Sequence, residues 1–495
     1  MIPGLIPWLI FYFEMTYITL NFYIFVIAAL IIYYGLPLKI RWVALLCADI
    51  AFYALFYKEG WYILLVTILI SFLAGFLMDR NIQKNKSNKL ILIISIIMVV
   101  LPWILIKNSN SIMEELLHRE GIQWIVPLGI SFYTMQIIAY LSDVYTGKIQ
   151  AQRNIAKYAL FISFFPQLLQ GPIPRYEELG HQLFEGHSFD EDKFTRGIYL
   201  IIWGFFLKLV IADKAAVVVN TVFDNSHAYS GVYIWVASIL YSIELYADFY
   251  ACTTLARGVA ALFGIDLTNN FARPYLAVSV RDFWRRWHIS LSTWLRDYIY
   301  IPLGGNQKGK VRRYINLLLT FAVSGIWHGA GVKFLCWGLL HGVYQVIGGA
   351  LIPVKEKLYH YMHFAQDSKL KYAIKRIGTF LLVNIGWIIF RAGDLNTGIQ
   401  MIIRMFTKLN LWVLTGDAIF NLGLDWKQFV IFWAAVVVLV IVGVKQEQGI
   451  DISGHIMKWK LPFRWAFLIC VILGIMLFGT YGFGYDAQSF IYGGF

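Results

Sequence analysis

About thirteen apolar runs, each close to the length that crosses a bilayer, follow one another along this chain with short polar breaks between them. They lie near residues 18–37, 42–57, 61–78, 90–106, 122–142, 155–170, 197–219, 231–250, 312–329, 332–352, 374–391, 428–445 and 462–480. In lipid every backbone N–H and C=O must be bonded within its own segment or a closed barrel, and uninterrupted apolar runs of this length are helices. The expected fold class is an all-α polytopic membrane protein with about 11–13 tilted or re-entrant helices, because several runs are short or interrupted by Pro or Gly.

Composition agrees. With 59% hydrophobic and 14% charged residues over 495 positions, there is too little charge to cover a soluble surface. The net charge of +13 is explained by basic loops on the cytoplasmic side more simply than by nucleic acid. Cys47, Cys252, Cys336 and Cys470 lie in or beside apolar stretches with no CxxC pair, so neither a disulfide framework nor a metal site is expected. No cleavable small-residue site opens the chain, so the first apolar segment is expected to stay. No internal repeat with matching motifs is visible, which weighs against a transporter. The location is a cell (plasma or inner) membrane, crossed many times.

Loop charge sets the orientation. "RNIQKNKSNK" (80–89) carries four cations and no acid and is expected in the cytoplasm, together with Lys39 and Arg41 two spans earlier. That places the N-terminus and the acidic "EELLHRE" (114–120) outside, and the loop with Lys148, Arg153 and Lys157 inside.

The central third departs from this pattern. "GPIPRYEELG" (171–180) places Pro172 and Pro174 around Ile173 and reads as a loop or broken helix. "RDFWRRWHISLSTWLRDYIYIPLGG" (281–305) is too charged to span and too aromatic to leave the membrane. As one helix it would align Arg281, Arg285, His288, Ser292 and Arg296 along a stripe, with Phe283, Trp284, Trp287, Leu291, Trp294 and Leu295 on the adjacent face. Such a helix would lie in the cytoplasmic interface, aromatics in the headgroup layer and arginines toward water or phosphate. The basic loop "GGNQKGKVRR" (304–313) points to the same side.

Three histidines stand out. His328 sits in "SGIWHGAG" inside an apolar run, where an ionisable residue is a functional candidate; a core histidine bonded to a backbone carbonyl is the other reading. His288 suits a structural or phosphate-contact role, and His341 in "WGLLHG" a packing role. Gly325, Gly329 and Gly331 around His328 permit close approach of a helix or ligand, and histidine is the natural general base near neutral pH. No GxSxG, Walker or HExxH motif occurs.

The run 281–305, followed by "SGIWHG" and "WGLLHG", resembles the membrane-bound O-acyltransferase family in its bacterial AlgI/DltB-like branch. The likeness extends to "NFYIFVIAALIIYYGLPLKIRW", "GPIPR", "LYADFYACTTLARGVAALFGI" and "NNFARPY", and so over nearly the whole chain. The resemblance implies one integral-membrane domain over 1–495, with a core tunnel at about 120–350, further spans at about 370–480 and a tail at 481–495. It implies a ring of tilted helices around a tunnel, with interfacial helices on the cytoplasmic side. His328 takes the place of the family's catalytic histidine and His288 that of its second active-site position. Arg281, Arg285, Arg286, Trp284, Trp287 and Asp248 are then expected to line the donor entrance. Arginines suit a phosphate-bearing thioester such as acetyl-coenzyme A or a phosphopantetheine arm. The sequence after "YADF" departs from the family's serine-bearing pattern, but Asp248 is kept.

The expected function is O-acylation of a cell-envelope or secreted polysaccharide. The donor is a cytoplasmic acyl thioester, the environment is membrane lipid, and the partner is an extracellular SGNH-type or AlgJ/AlgX-like O-acetyltransferase; no cofactor is held. The tail "FIYGGF" resembles the family's "FIYFQF" ending, which implies an acyl relay at Tyr492, although "GGF" departs from it. An extra set of spans and this tail favour the AlgI-like side over DltB-like D-alanyl transfer to teichoic acid. A polysaccharide or lipid flippase is the alternative from another class.

Overall fold

The computed structural model describes residues 16–57, 60–84, 86–111, 126–361 and 368–481. Tyr492 lies outside the described residues. Within them the regular structure is helical throughout, with no strand. They form two compact units, one of residues 1–103, 124–198 and 255–267, the other of 104–123, 199–254 and 268–495.

In the first unit the helices Leu20–Gly35, Arg41–Phe56, Trp61–Ile82, Ile130–Tyr145, Ile155–Ser163 and Tyr176–Glu185 enclose Phe22, Phe52, Tyr133, Tyr158 and Phe165. Hydroxyls inside the apolar helices bond back to the preceding turn, as Thr67 does to the Ile63 carbonyl and Ser71 to the Thr67 carbonyl, so they cost little in lipid. The break after Ser163 is held by buried Asp49, which accepts from the Phe165 amide at 2.8 Å and the Ser163 hydroxyl at 3.0 Å. "GPIPR" is non-helical, as its two prolines require, and the next helix starts at Tyr176.

The helix Glu191–Phe205, which enters the second unit at Tyr199, widens into a π-turn at Phe206–Ala212 before Asp213–Asp224 resumes α geometry. The 31-residue helix Val232–Leu262 follows, its residues up to Thr254 in this unit. Beyond it come the short helices Val280–Arg286 and Ile289–Leu295, then the long ones Gly309–His328, Val332–Ala350, Lys369–Arg391, Trp426–Glu447 and Leu461–Phe478. Gly309–His328 and Val332–Ala350 form a tight hairpin. A Cβ on Gly325 would collide with the Phe334 carbonyl, and one on Gly338 with the Phe321 carbonyl, so bare Cα atoms let the backbones touch.

Among the described residues the apolar runs fall on helices, full-length or short and broken, as expected of a polytopic membrane protein. Six described helices are long and apolar enough to cross a membrane, or seven if the pair Val332–Ala350 and Ile352–Tyr361, bent by 54°, counts as one. Leu20–Gly35, Arg41–Phe56 and Ile130–Tyr145 have 16 residues each, short of the roughly 20 a perpendicular span needs. Almost none of Leu461–Phe478 is buried, and Leu473, Leu477 and Phe478 are exposed. Only hydrocarbon solvates such a helix, and the protein is a multi-pass membrane protein.

Candidate functional site

The segment from Arg281 is not one helix. Ser279 caps Val280–Arg286 by accepting from the Asp282 amide at 3.1 Å, and the helix stops at Trp287. His288 then adopts a left-handed backbone (φ 43°, ψ 57°), and a new helix begins at Ile289. The cause is tertiary. Buried Asn270 clamps the turn, its carbonyl accepting from the Ile289 amide at 3.0 Å and its side-chain oxygen from the Ser290 amide at 3.1 Å. A left-handed non-glycine residue costs on the order of 1–2 kcal/mol, which these bonds offset. The expected single stripe of Arg281, Arg285, His288, Ser292 and Arg296 is therefore broken at His288.

The aromatic face is not an open one either. Phe283, Trp284, Trp287, Leu291, Trp294 and Leu295 are all buried in protein. Trp287 packs against Phe271, Phe283 and Trp387 with ring centroids 5.1–5.4 Å apart. The indole N–H of Trp284 donates to Nδ1 of His341 at 3.2 Å. Sequence periodicity treated these rings as an exposed face because it carries no information on which helices cover them.

His328 is the last residue of Gly309–His328, which ends because Gly329 is extended and Gly331 has φ 97°. Its ring is buried among Trp327 (4.8 Å), Trp337 (5.0 Å) and Phe390 (5.5 Å). His288, fully buried, stands edge-on to Phe249 at 4.7 Å and to Trp327 at 5.9 Å. Trp327 thus lies against both histidines. Burial pushes the His288 imidazole down to about 3, so this ring is neutral at physiological pH and suited to hydrogen bonding rather than to holding a proton. His341 extends the cluster through Trp337 at 5.1 Å. Gly329 faces the Phe334 ring with no room for a Cβ, so the expected small-residue crowding at His328 is present and its occupant is Phe334.

The arginines divide. Arg285 pairs with Asp282 at 2.9 Å and is mostly exposed, and Arg281 is exposed. Arg286 bonds Asp282 at 3.2 Å and Glu447 at 3.0 Å, so its guanidinium already has two acids. Burial pushes the Asp282 carboxyl up, but the Val278 amide and the guanidiniums of Arg285 and Arg286 outweigh it and hold it below the usual range.

Asp248 sits deep on Val232–Leu262, beside Phe249, bonded to Lys208 at 2.7 Å. Lys208 also holds Asp213 at 3.0 Å, and all three are buried. Sequence reasoning passed over Lys208 and Asp213, although three charges in the apolar run 197–219 (Lys208, Asp213 and Lys214) were the available signal. It also passed over Lys107, which ends another apolar run. Lys107 Nζ donates to the Trp327 carbonyl at 2.6 Å and lies 5.6 Å from the centre of the Trp327 ring.

Comparison with known proteins places the chain in a family. Residues 52–364 match the model of the membrane-bound O-acyltransferase family. The probable alginate O-acetylase AlgI of Pseudomonas syringae pv. tomato is 40% identical over 299 residues, 59% of this chain and 55% of that protein. The peptidoglycan O-acetyltransferase of Helicobacter pylori is 33% identical over 391 residues, 72% of each chain. The teichoic acid D-alanyltransferase of Bacillus subtilis is 29% identical over 260 residues, 50% of this chain and 65% of that protein. The chain spans about half the length of the alginate O-acetylases it matches. By the extent of these matches, the chain belongs to the membrane-bound O-acyltransferase family.

Proposed function

We propose that this protein is an acyltransferase that takes acetyl groups from a cytoplasmic thioester, acetyl-coenzyme A or an acyl carrier, for O-acetylation of a cell-envelope or secreted polysaccharide. The observation that carries this reading is the burial of His328 at a helix end within an aromatic enclosure that His288 shares through Trp327. The names of the alginate and peptidoglycan relatives supply the substrate class.

In this reading His328 removes the proton from an acceptor hydroxyl as its oxygen attacks the thioester carbonyl. The tetrahedral oxyanion collapses, the C–S bond breaks, and the imidazolium returns the proton to the departing thiolate. One ester and one thiol result. The apolar walls exclude water, which would otherwise take the acyl group. The neutral His288 orients acceptor or thioester beside the same tryptophan, and Arg281 and Arg285, open to solvent, meet donor phosphates. Tyr492 is the proposed relay to a separate extracellular SGNH-type transferase, a phenyl ester being activated enough to pass on.

Membrane vesicles loaded with radiolabelled acetyl-coenzyme A test the reading. With the extracellular transferase supplied, wild-type vesicles transfer label to added polysaccharide, and His328→Ala at equal folded level loses about 10²–10⁴-fold of the rate. Undiminished transfer by His328→Ala overturns the base assignment. Label that stays on the cofactor points to a flippase, and dependence on an aminoacylated carrier protein points to D-alanyl transfer. Tyr492→Phe keeps the ring and removes the nucleophilic oxygen, so it is expected to block polymer acetylation and to lose a labile adduct on the terminal peptide.

A further inference from the structure

The structure assigns a working role to Lys107: it is a positioning residue for the acyl-transfer site, locking Trp327 in place between His288 and His328 and fixing a positive charge at the end of the His328 helix. This rests on the acyltransferase reading for its functional half, while its geometric half stands on four contacts within the second unit.

The ammonium of Lys107 donates to the Trp327 carbonyl at 2.6 Å, across 220 residues of sequence. That carbonyl belongs to the last turn of Gly309–His328, where the helix leaves its carbonyls without amide partners and its dipole is negative. A lysine there satisfies the carbonyl and complements the dipole at once. The same ammonium lies 5.6 Å from the centre of the Trp327 ring, within reach of the π face. Lys107 therefore holds both the backbone and the indole of one residue. That indole meets the ring of His328 at 4.8 Å and the ring of His288 at 5.9 Å. If Trp327 turns, both histidines lose a wall.

A lysine at the end of an apolar helix is ordinarily free to extend toward water. Here it is directed at the residue before the proposed base, in a region where a charge is costly and is kept by specific partners. A fixed cation beside the site also favours the tetrahedral oxyanion over the neutral thioester, an effect that acts on turnover rather than on donor binding.

The test compares Lys107→Met and Lys107→Arg in the full-length protein, with His328→Ala alongside. Acetyl transfer and donor KM are measured at matched folded level, and carbethoxylation of His328 by diethyl pyrocarbonate is followed by peptide mass spectrometry. Lys107→Met is expected to lower kcat by about 10-fold or more with donor KM unchanged, and to speed modification of His328. Lys107→Arg keeps the charge, the N–H donor and the π contact, and is expected to recover most of the turnover and the protection. Wild-type kcat and wild-type His328 protection in Lys107→Met overturn the proposal. So does an arginine variant as impaired as the methionine one at full folded level. If the wild type transfers no acetyl group, the acyltransferase reading fails; faster His328 modification in Lys107→Met then still supports the positioning role, and an unchanged rate removes both.

Discussion

The indole N–H of Trp284 donates to Nδ1 of His341 across 3.2 Å, joining two buried side chains 57 residues apart. Because Nδ1 accepts, the neutral His341 ring carries its proton on Nε2. That nitrogen has no bonding partner among the described residues and faces Gly386, where an added Cβ would lie only 2.7 Å away. His341 is thereby held as a spacer between Trp284 and Trp337.

Cutting this bond from one side strands a buried polar atom. Trp284→Phe leaves His341 Nδ1 unpaired and His341→Leu leaves the Trp284 N–H unpaired, each costing about 1–3 kcal/mol. The double variant is expected to destabilise by less than the two singles added, because nothing is left orphaned. Thermal unfolding in one detergent provides the cycle, and strict additivity would remove the bond from the account.

The left-handed backbone of His288 predicts an unusual ranking. Glycine adopts that conformation without a Cβ clash, so His288→Gly is expected to be more stable than His288→Ala by about 1 kcal/mol. This reverses the order at an ordinary helical position. Both variants lose the imidazole, and acetyl transfer by both is expected to fall.

The buried lysine with two carboxylates gives a larger effect. Lys208→Met leaves Asp213 and Asp248 in the interior without their cation, a change expected to cost on the order of 3–5 kcal/mol. Lys208→Met combined with Asp248→Asn is expected to recover part of it. Folded yield by fluorescence-detected size exclusion reads both.

Helix contact at the hairpin is tested by alanine alone. Gly325→Ala places a methyl against the Phe334 carbonyl and is expected to disturb the helix end that carries His328, with losses of yield and activity. Gly348→Ala, on the partner helix with nothing within 4 Å of its Cβ, is the control and is expected to be neutral or slightly stabilising.

The two neighbouring arginines are expected to behave differently. Arg285→Ala removes a mostly exposed guanidinium and should raise the donor KM more than it lowers kcat, if that group meets donor phosphate. Arg286→Ala removes one of two guanidinium partners from each of Asp282, which keeps Arg285, and Glu447, which keeps Arg273, and its main effect is expected in thermal stability. A collapse of kcat at constant KM in Arg285→Ala would exclude the donor contact.

The helices were legible in the chain because lipid leaves the backbone no alternative: an apolar run must bond its own amides, so its length and hydrophobicity declare it. Pro172 and Pro174 were legible for the matching reason, that a missing N–H cannot be hidden. His328 could be singled out because a histidine within an apolar run is anomalous wherever that run packs. What periodicity could not reach were the contacts between distant segments. The break at His288 depends on Asn270, the burial of Trp287 on Trp387, the partner of Asp248 on Lys208, and the seat of Trp327 on Lys107. A local pattern records which residues share a helix face, but not what covers that face. The covering helices convert a row of arginines and tryptophans that reads as an interfacial stripe into two short helices, a strained turn and a buried aromatic cluster around two histidines.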